Sequence, residues 1–263
     1  MRYTSLGSGS EGNALVVEVV GSAGVDGRVL LDCGFGLREA TRRLAMRGLT
    51  PDSLDAILIT HEHTDHAGGA IRLARRHGVP IHCSHGTWSA VSRSFGASEI
   101  DNVRVQTVCS HTPFSIRGME IHPFPVPHDA REPTQFVFST GDCKLGVLTD
   151  AGSRTACIVD MLNGCDGLVL ECNHDEAMLA ASMYPDSLKR RILGDWGHLS
   201  NAAAADVLAA LDRSRLKRIH AAHLSQQNNR PELARHALAM VLGTDDGDIA
   251  IADQDNGFDW TQI

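Results

Sequence analysis

Short runs of β-branched and other apolar residues alternate with amphipathic segments along nearly the whole chain. Four such runs in the first part predict strands, at residues 14–20, 28–32, 55–60 and 80–83. The glycine-rich stretch 21–27 predicts the turn between the first two strands. Amphipathic segments predict helices at 37–47, which Gly48 ends, and at 67–76. A helix placed between two such strands is typical of a parallel sheet.

Strands dominate the middle of the chain, and helices alternate with strands after it. The middle strands are predicted at 103–108, 119–126, 134–140 and 144–149. Gly141 and Asp142 predict a hairpin turn between the last two of these. Later helices are predicted at 153–162, 176–182, 202–211 and 231–242, and later strands at 168–171, 218–222 and 249–252. Because no linker or repeat interrupts this order, we expect residues 1–263 to form a single α/β (α+β) domain.

Composition places the chain among globular proteins. Hydrophobic residues make up 43 % and charged residues 21 % of its 263 residues. The formal net charge of −8 gives no overall basic field that would indicate nucleic acid. No apolar run is long enough for a membrane span, and residues 1–12 lack the apolar core of a signal peptide. Seven cysteines without a CxxC pair fit free thiols in a reducing compartment, so we expect a cytoplasmic protein.

The candidate chemistry is concentrated after the predicted strand 55–60, in the sequence THEHTDHAGG at 60–69. Residues two apart on an extended backbone face the same way, so His61 and His63 can bind one cation. Asp65 and His66, at the start of the next helix, point elsewhere and can bind a second. Imidazole nitrogens and carboxylates suit zinc, iron or manganese. The alternative is a solvated histidine-rich turn, in which these ionisable groups would have no cation to hold them together.

This segment resembles the His-x-His-x-Asp-His signature of the metallo-β-lactamase fold superfamily. The resemblance implies a four-layer αβ/βα sandwich with two divalent metal ions, zinc, manganese or iron, at one edge between the sheets. It also implies the order of ligands, which in this chain are His61, His63, Asp65, His66, His128, Asp150 and His223. Asp150 corresponds to the bridging carboxylate. Asp142 competes for that role but stands in the predicted hairpin turn, while Asp32 is a candidate to orient a ligating imidazole.

Two cations that share a water would lower its pKa toward 7 and draw charge from substrate oxygens. That chemistry is hydrolysis. The ligand set by itself fits phosphodiesters, lactones, thioesters and lactams equally well.

A second set of motifs narrows the substrate. Its members are SLGSGSEGN at 5–13, LECNHD at 170–175, GHLSN at 197–201, HLS at 223–225 and NN at 228–229. Together they resemble the YycJ/WalJ-type branch of the superfamily, DNA-processing proteins of bacteria described as exonucleases. The resemblance covers essentially the whole chain and implies a metal-dependent phosphodiesterase with DNA as its substrate.

Catalytic and substrate-binding candidates follow from these motifs. Related tRNA 3′-processing enzymes use a histidine in a similar Gly-His element, oriented by a glutamate, to protonate the leaving oxygen. By resemblance, His198 is the general acid and Glu171 its partner, and Asp65 joins them as a catalytic residue. Substrate contacts are predicted at Asn13, Asn173, His174, Ser200, Asn201 and Ser225. Ser200 and Asn201 can equally cap the helix that follows them.

Two other classes of function stay open. A small-molecule hydrolase of the same fold would cleave a thioester, a lactone or a cyclic phosphodiester, and the acidic net charge favours it. A regulator that binds metal without catalysis is disfavoured because the ligand set is complete. The polarity of cleavage, the native metal and the oligomeric state cannot be predicted from these residues.

Overall fold

The computed structural model describes residues 1–21 and 24–263. In these residues fourteen strands form two seven-stranded sheets. The first sheet contains β1 (Arg2–Gly7), β2 (Ala14–Gly21), β3 (Gly24–Leu31), β4 (Ala56–Leu58), β5 (Ile81–Cys83), β6 (Val105–Thr107) and β14 (Phe258–Gln262). The second contains β7 (Phe114–Ile116), β8 (Met119–Pro125), β9 (Thr134–Ser139), β10 (Lys144–Leu148), β11 (Gly167–Glu171), β12 (Arg218–Ala222) and β13 (Ala250–Ile251).

Spatial order in both sheets largely follows chain order. The first sheet runs β14-β1-β2-β3-β4-β5-β6, and the second runs β13-β12-β11-β10-β9-β8-β7. Pairing is parallel from β3 to β6 and from β10 to β13, and antiparallel elsewhere. The hairpin predicted through Gly141 and Asp142 joins β9 to β10.

Helices cover the outer faces of the sheets. Five helices connect strands of the first sheet: α1 (Leu37–Met46), α2 (Thr64–Ala67), α3 (Ala70–His77), α4 (His85–Arg93) and α5 (Ala97–Ile100). The second carries α6 (Ala156–Leu162), α7 (Glu176–Ala181), α8 (Asp186–Leu193), α9 (Asn201–Ala210) and α10 (Pro231–Leu242). Short 3₁₀ turns lie at Pro51–Ser53 and Asp246–Asp248. Among the described residues, no helix combines the length and apolarity needed to cross a membrane.

Alternating side chains of the central strands divide the core into layers. In β3, Val29 and Leu31 face the second sheet, whereas Leu30 packs under the helices of the first sheet. In β11, Val169 faces the first sheet and Leu168 packs under the helices of the second. Strands that are apolar on both faces must be covered on both faces. The predicted four-layer αβ/βα sandwich is therefore confirmed.

Several local predictions were wrong. The helix predicted at 67–76 is two helices, α2 and α3, which Gly68 and Gly69 separate, and Gly69 lies so close to the Phe35 carbonyl oxygen that a Cβ would overlap it. The turn predicted at 21–27 is shorter, since Gly21 pairs with Gly24, and its centre lies outside the described residues. The prediction omitted β1, β7, β14, α4, α5 and α8.

The carboxyl ends of the parallel strands meet along one edge of the sandwich. Asp32 follows β3, Asp150 follows β10 and His223 follows β12. Open α/β sheets bind their ligands at such an edge.

Candidate metal centre

Three histidines form a first group of potential ligands. Donor atoms of His61, His63 and His128 lie within 4.8 Å of one another. The Nδ1 of His128 lies 2.9 Å from the carbonyl oxygen of Gly197, which leaves Nε2 to face His63 at 3.4 Å. The Nδ1 of His61 lies 3.0 Å from Thr60 Oγ1. Side chains of His61 and His63 thus share a face, as their spacing predicts.

A second group contains Asp65, His66 and His223, again with donor atoms within 4.8 Å. Asp65 Oδ2 lies 3.3 Å from His66 Nε2 and 3.4 Å from His223 Nε2. The Nδ1 of His66 lies 2.8 Å from Asp32 Oδ2, so the orienting contact expected of Asp32 is present. Because Nδ1 is held there, Nε2 of His66 faces the other two ligand candidates.

Asp150 lies between the two groups. Its Oδ2 is 3.0 Å from His66 Nε2, and its Oδ1 is 3.9 Å from His128 Nε2. Oδ1 is also 3.5 Å from His223 Nδ1. Asp142 lies apart from both groups. It is exposed in the β9–β10 turn, where its carbonyl oxygen accepts a hydrogen bond from Arg215.

The residues present fit divalent cations. His61 Nε2, Asp150 Oδ2 and His223 Nδ1 are buried and form no hydrogen bond of good geometry within the described residues, although Asp150 Oδ2 lies 3.0 Å from His66 Nε2. Buried polar atoms normally have partners, and three such lone-pair donors beside each other point to an ion. Nitrogen and carboxylate donors in this mixture suit zinc, manganese or iron.

The pKa shifts within the cluster also favour a bound cation. Burial opposes charge on Asp150, yet His223 and His66 hold its pKa well below the usual range. Burial likewise opposes charge on His66, but Asp150 and Asp32 raise its pKa well above the usual value. Burial and the neighbouring His66 keep the pKa of His61 low. The cluster therefore favours positive charge beside its buried carboxylates, and a bound metal ion would supply that charge.

Three residues at this edge have strained backbones. Asp32, Asp150 and His223 have φ angles of 60°, 53° and 55°, in the left-handed region that favours glycine. Asp32 and His223 directly follow β3 and β12, Asp150 stands two residues after the end of β10, and each turns its side chain toward the cluster. Such strain costs on the order of 1–3 kcal/mol per residue and concentrates at functional sites. No pattern in the sequence indicated it.

Glu171 and His198 form a pair beside the cluster. Glu171 is fully buried at the end of β11, and its Oε1 lies 2.7 Å from His198 Nδ1. Its Oε2 accepts hydrogen bonds from the backbone N–H groups of Ala151 and Leu199. Burial opposes charge on His198, but Glu171 raises its pKa. His198 Nδ1 also lies 3.5 Å from Asp150 Oδ1, so the pair adjoins the candidate metal site.

A cleft opens over the cluster. His63, Asp65, Asp150, His198 and His223 contribute to its floor. Its other lining residues are Ser10, Glu62, Thr64, Asp129, Asn173, Tyr184, Leu188, Arg191, Ile192, Gly197 and Ser225. No role was predicted from the sequence for Tyr184 or Glu62, although both stand in segments that carry the family resemblance.

Two of the six predicted substrate contacts, Asn173 and Ser225, line the cleft. The Asn173 side chain also donates to the carbonyl oxygen of His223. Asn13 does not line the cleft. Its Nδ2 lies 3.1 Å from His66 Nε2 and 3.4 Å from Asp65 Oδ2. It therefore contacts the ligand candidates themselves.

The remaining three are buried away from the cleft lining. Ser200 caps α9 by accepting from the Ala203 N–H, and it donates to Glu176. Asn201 exchanges two 2.9 Å side-chain hydrogen bonds with Asn229. His174 is buried, and its Nε2 has no partner in the described chain. These contacts give Ser200 and Asn201 structural roles.

Comparison with known proteins agrees with this geometry. The sequence model of the β-lactamase superfamily domain matches residues 27–221. The exodeoxyribonuclease WalJ of Streptococcus pneumoniae is 34 % identical over 245 residues, which are 93 % of this chain and 89 % of the relative. The exodeoxyribonuclease YycJ of Bacillus anthracis is 35 % identical over 243 residues, 92 % of this chain and 89 % of the relative.

Solved structures with low identity share the fold. The metallo-β-lactamase fold protein YhfI from Bacillus subtilis superposes with a TM-score of 0.74 at 15 % identity, covering 99 % of this chain and 98 % of that one. Human tRNase Z, short form, gives a TM-score of 0.68 at 20 % identity, with 100 % and 99 % covered.

Proposed function

We propose that the chain, which belongs to the β-lactamase superfamily, is a metal-dependent phosphodiesterase that degrades DNA as an exonuclease. The observation that carries the proposal is the Glu171–His198 pair 3.5 Å from Asp150, at the floor of one cleft with the metal-ligand candidates. Two relatives named exodeoxyribonucleases, each matched over 89 % of its length, support DNA as the substrate.

Two divalent cations, zinc, manganese or iron, are part of this proposal. His61, His63 and His128 would hold one, and Asp65, His66 and His223 the other, with Asp150 between them. When bound, such ions supply Lewis acidity to phosphate oxygens and lower the pKa of a nearby water. We also propose that residues 1–263 are one domain, because both sheets contribute to this ligand set.

The chain's own residues supply proton transfer and orientation. Glu171 holds His198 through Nδ1, so Nε2 is the atom that donates a proton to the leaving oxygen. The backbone bonds to Glu171 Oε2 fix the carboxylate, and through it the ring. Asp65, partly exposed in the cleft, accepts from water and orients it.

An alternative is a small-molecule hydrolase of the same fold. The observation that favours it is the acidity of the cleft, where Glu62, Asp65, Asp129 and Asp150 line the same space. Together with the net charge of −8, these carboxylates repel a polyanion more than a small ester.

The test is an activity panel with metal-reconstituted protein. The substrates are end-labelled single- and double-stranded DNA, RNA, bis(p-nitrophenyl) phosphate, a lactone and a thioester. We expect stepwise shortening of DNA from an end, abolished in His61→Ala and retained in Asp142→Ala, whose carboxylate lies outside the cluster. Turnover of the lactone or thioester without any loss of DNA would refute the proposal and select the alternative.

A further inference from the structure

One wall of the cleft consists of Tyr184 and the face of α8 that carries Leu188, Arg191 and Ile192. We call these four residues the α8 wall. Residues 188, 191 and 192 are spaced by three and four positions, so they share one side of the helix. The backbone N–H of His198 donates to the carbonyl oxygen of Ile192 at 3.0 Å. The wall is therefore fastened directly to the loop that carries the candidate general acid.

Arg191 is the cationic group of this wall. Among the described residues that line the cleft, it is the one Lys or Arg, and it faces Glu62, Asp65, Asp129 and Asp150. Its Nε donates to Asp129 Oδ2, while Asp129 Oδ1 lies 3.4 Å from His128 Nε2. The guanidinium is thereby held one side chain away from the first ligand group.

The hydrogen bond to Asp129 leaves the outer edge of Arg191 available. Within residues 1–21 and 24–263, neither Nη group of Arg191 has a hydrogen-bond partner, and the side chain is 55 % exposed. Two adjacent N–H groups on a planar fork match the oxygens of a phosphate. Because the cleft is otherwise acidic, it repels a DNA strand. A single cation here therefore contributes more to DNA binding than it would on a basic surface.

Tyr184 supplies a different contact. Its ring is partly buried in the same wall and lines the cleft. Nucleobases stack on aromatic side chains irrespective of their identity. A phosphate contact and an aromatic surface on one wall are the combination by which proteins hold a single strand.

We propose that the α8 wall binds the nucleotide next to the scissile bond, with Arg191 on its non-scissile phosphate and Tyr184 against its base. This inference rests on the proposed function and specifies its substrate as a polynucleotide strand with an unpaired end. An isolated phosphodiester lacks the second phosphate, so it cannot use the Arg191 contact.

The test compares Arg191→Gln with Arg190→Gln, which removes an equal charge from an exposed position of α8 outside the cleft lining. With a single-stranded oligonucleotide, we expect Arg191→Gln to raise KM about tenfold with kcat within about twofold, the pattern for lost ground-state binding. The slope of log(kcat/KM) against log salt should flatten by about 0.7, the value for one phosphate contact on a single strand. Hydrolysis of bis(p-nitrophenyl) phosphate should change less than about twofold, because this substrate has no second phosphate for Arg191 to contact. Tyr184→Ala should also raise KM for the oligonucleotide. Tyr184→Phe, which keeps the aromatic ring, should have the KM of the wild type.

Other outcomes would show whether the inference about the α8 wall or the proposed function is wrong. Equal losses by Arg191→Gln on both substrates would mean that Arg191 acts only by neutralising Asp129 beside the ligands, and would overturn the inference. Equal behaviour of Arg191→Gln and Arg190→Gln on DNA would overturn it as well. A wild-type protein that leaves DNA intact would instead refute the proposed function itself.

Discussion

The Nδ1 atom of His198 lies 2.7 Å from Oε1 of Glu171, which joins the end of β11 to the loop before α9. The carboxylate is fully buried, while the imidazole is 20 % exposed toward the cleft. A buried, doubly anchored carboxylate behind a partly exposed ring fixes both its orientation and its charge. His198 lies outside the two triads of ligand candidates proposed for the ions, although its ring nitrogen lies within 4.8 Å of donor atoms of Asp150, Glu171 and His223.

Replacing His198 tests proton donation. His198→Ala should leave the metal content unchanged and lower kcat on DNA by about 10²–10⁴-fold, the usual contribution of a general acid. The loss should shrink on bis(p-nitrophenyl) phosphate, since p-nitrophenolate leaves without protonation. Steady-state kinetics on both substrates, with elemental analysis of each preparation, provide the check. Equal losses on both would indicate phosphate positioning instead.

Replacing Glu171 tests the charge of His198. Glu171 raises the pKa of His198, so the ring keeps its proton to higher pH and activity falls as pH rises through that pKa. In Glu171→Gln the attraction is lost, and the alkaline limb of kcat/KM on DNA should move to lower pH. Glu176→Gln, an exposed glutamate nearby, is the matched control. An alkaline limb that stays in place would exclude His198 as the group it reports.

Asp150 should support both metal sites, because it contacts residues of both groups. Asn tolerates the left-handed backbone of position 150, so Asp150→Asn removes the charge with little strain. We expect fewer metal ions per chain and loss of activity, whereas Asp142→Ala should change neither. The measurement is metal content under metal-replete conditions. One ion or fewer per wild-type chain would contradict the two-ion proposal.

Asn201 should contribute to stability and not to substrate binding. Its buried side chain exchanges two hydrogen bonds with Asn229. Removing one partner leaves the other unsatisfied, so Asn201→Ala and Asn229→Ala should each lower the free energy of unfolding by about 1–3 kcal/mol. The double variant should lose less than the sum, which denaturant unfolding can measure. A raised KM for DNA with unchanged stability would return Asn201 to the substrate contacts.

His220 should make the fold sensitive to acid. Its ring is buried against Tyr3 and Phe258, and burial lowers its pKa from 6.5 to about 4. Below pH 6.5 the unfolded chain takes up a proton that the folded chain refuses, so stability is lost as pH falls toward 4. Between pH 7 and pH 5 this amounts to about 2 kcal/mol. Urea unfolding of His220→Gln should lack that component, and the exposed-site variant His111→Gln should keep it. Identical pH dependence in wild type and His220→Gln would contradict the assignment.

Local pattern determined much of the architecture and the first part of the site. Runs apolar on both faces predict buried parallel strands, and the alternation of side chains on an extended backbone predicts that His61 and His63 face one ion. Both relationships depend on backbone geometry over a few residues. In contrast, α8 was missed although Leu188 and Ile192 have helical spacing, because this short helix between Pro185 and Gly194 was not recognised as a separate element.

Only the tertiary structure decided which distant residues meet. Asp65 and His223 are 158 residues apart in the chain, and His66 and Asp32 are 34 apart. Their contacts depend on the packing of two sheets and on left-handed turns at Asp32, Asp150 and His223, which the sequence does not indicate. The same packing placed Asn201 against Asn229, and Arg191 in the cleft. Side-chain direction along one strand is a local property of the backbone, whereas proximity across the sandwich is set by long-range packing of its layers.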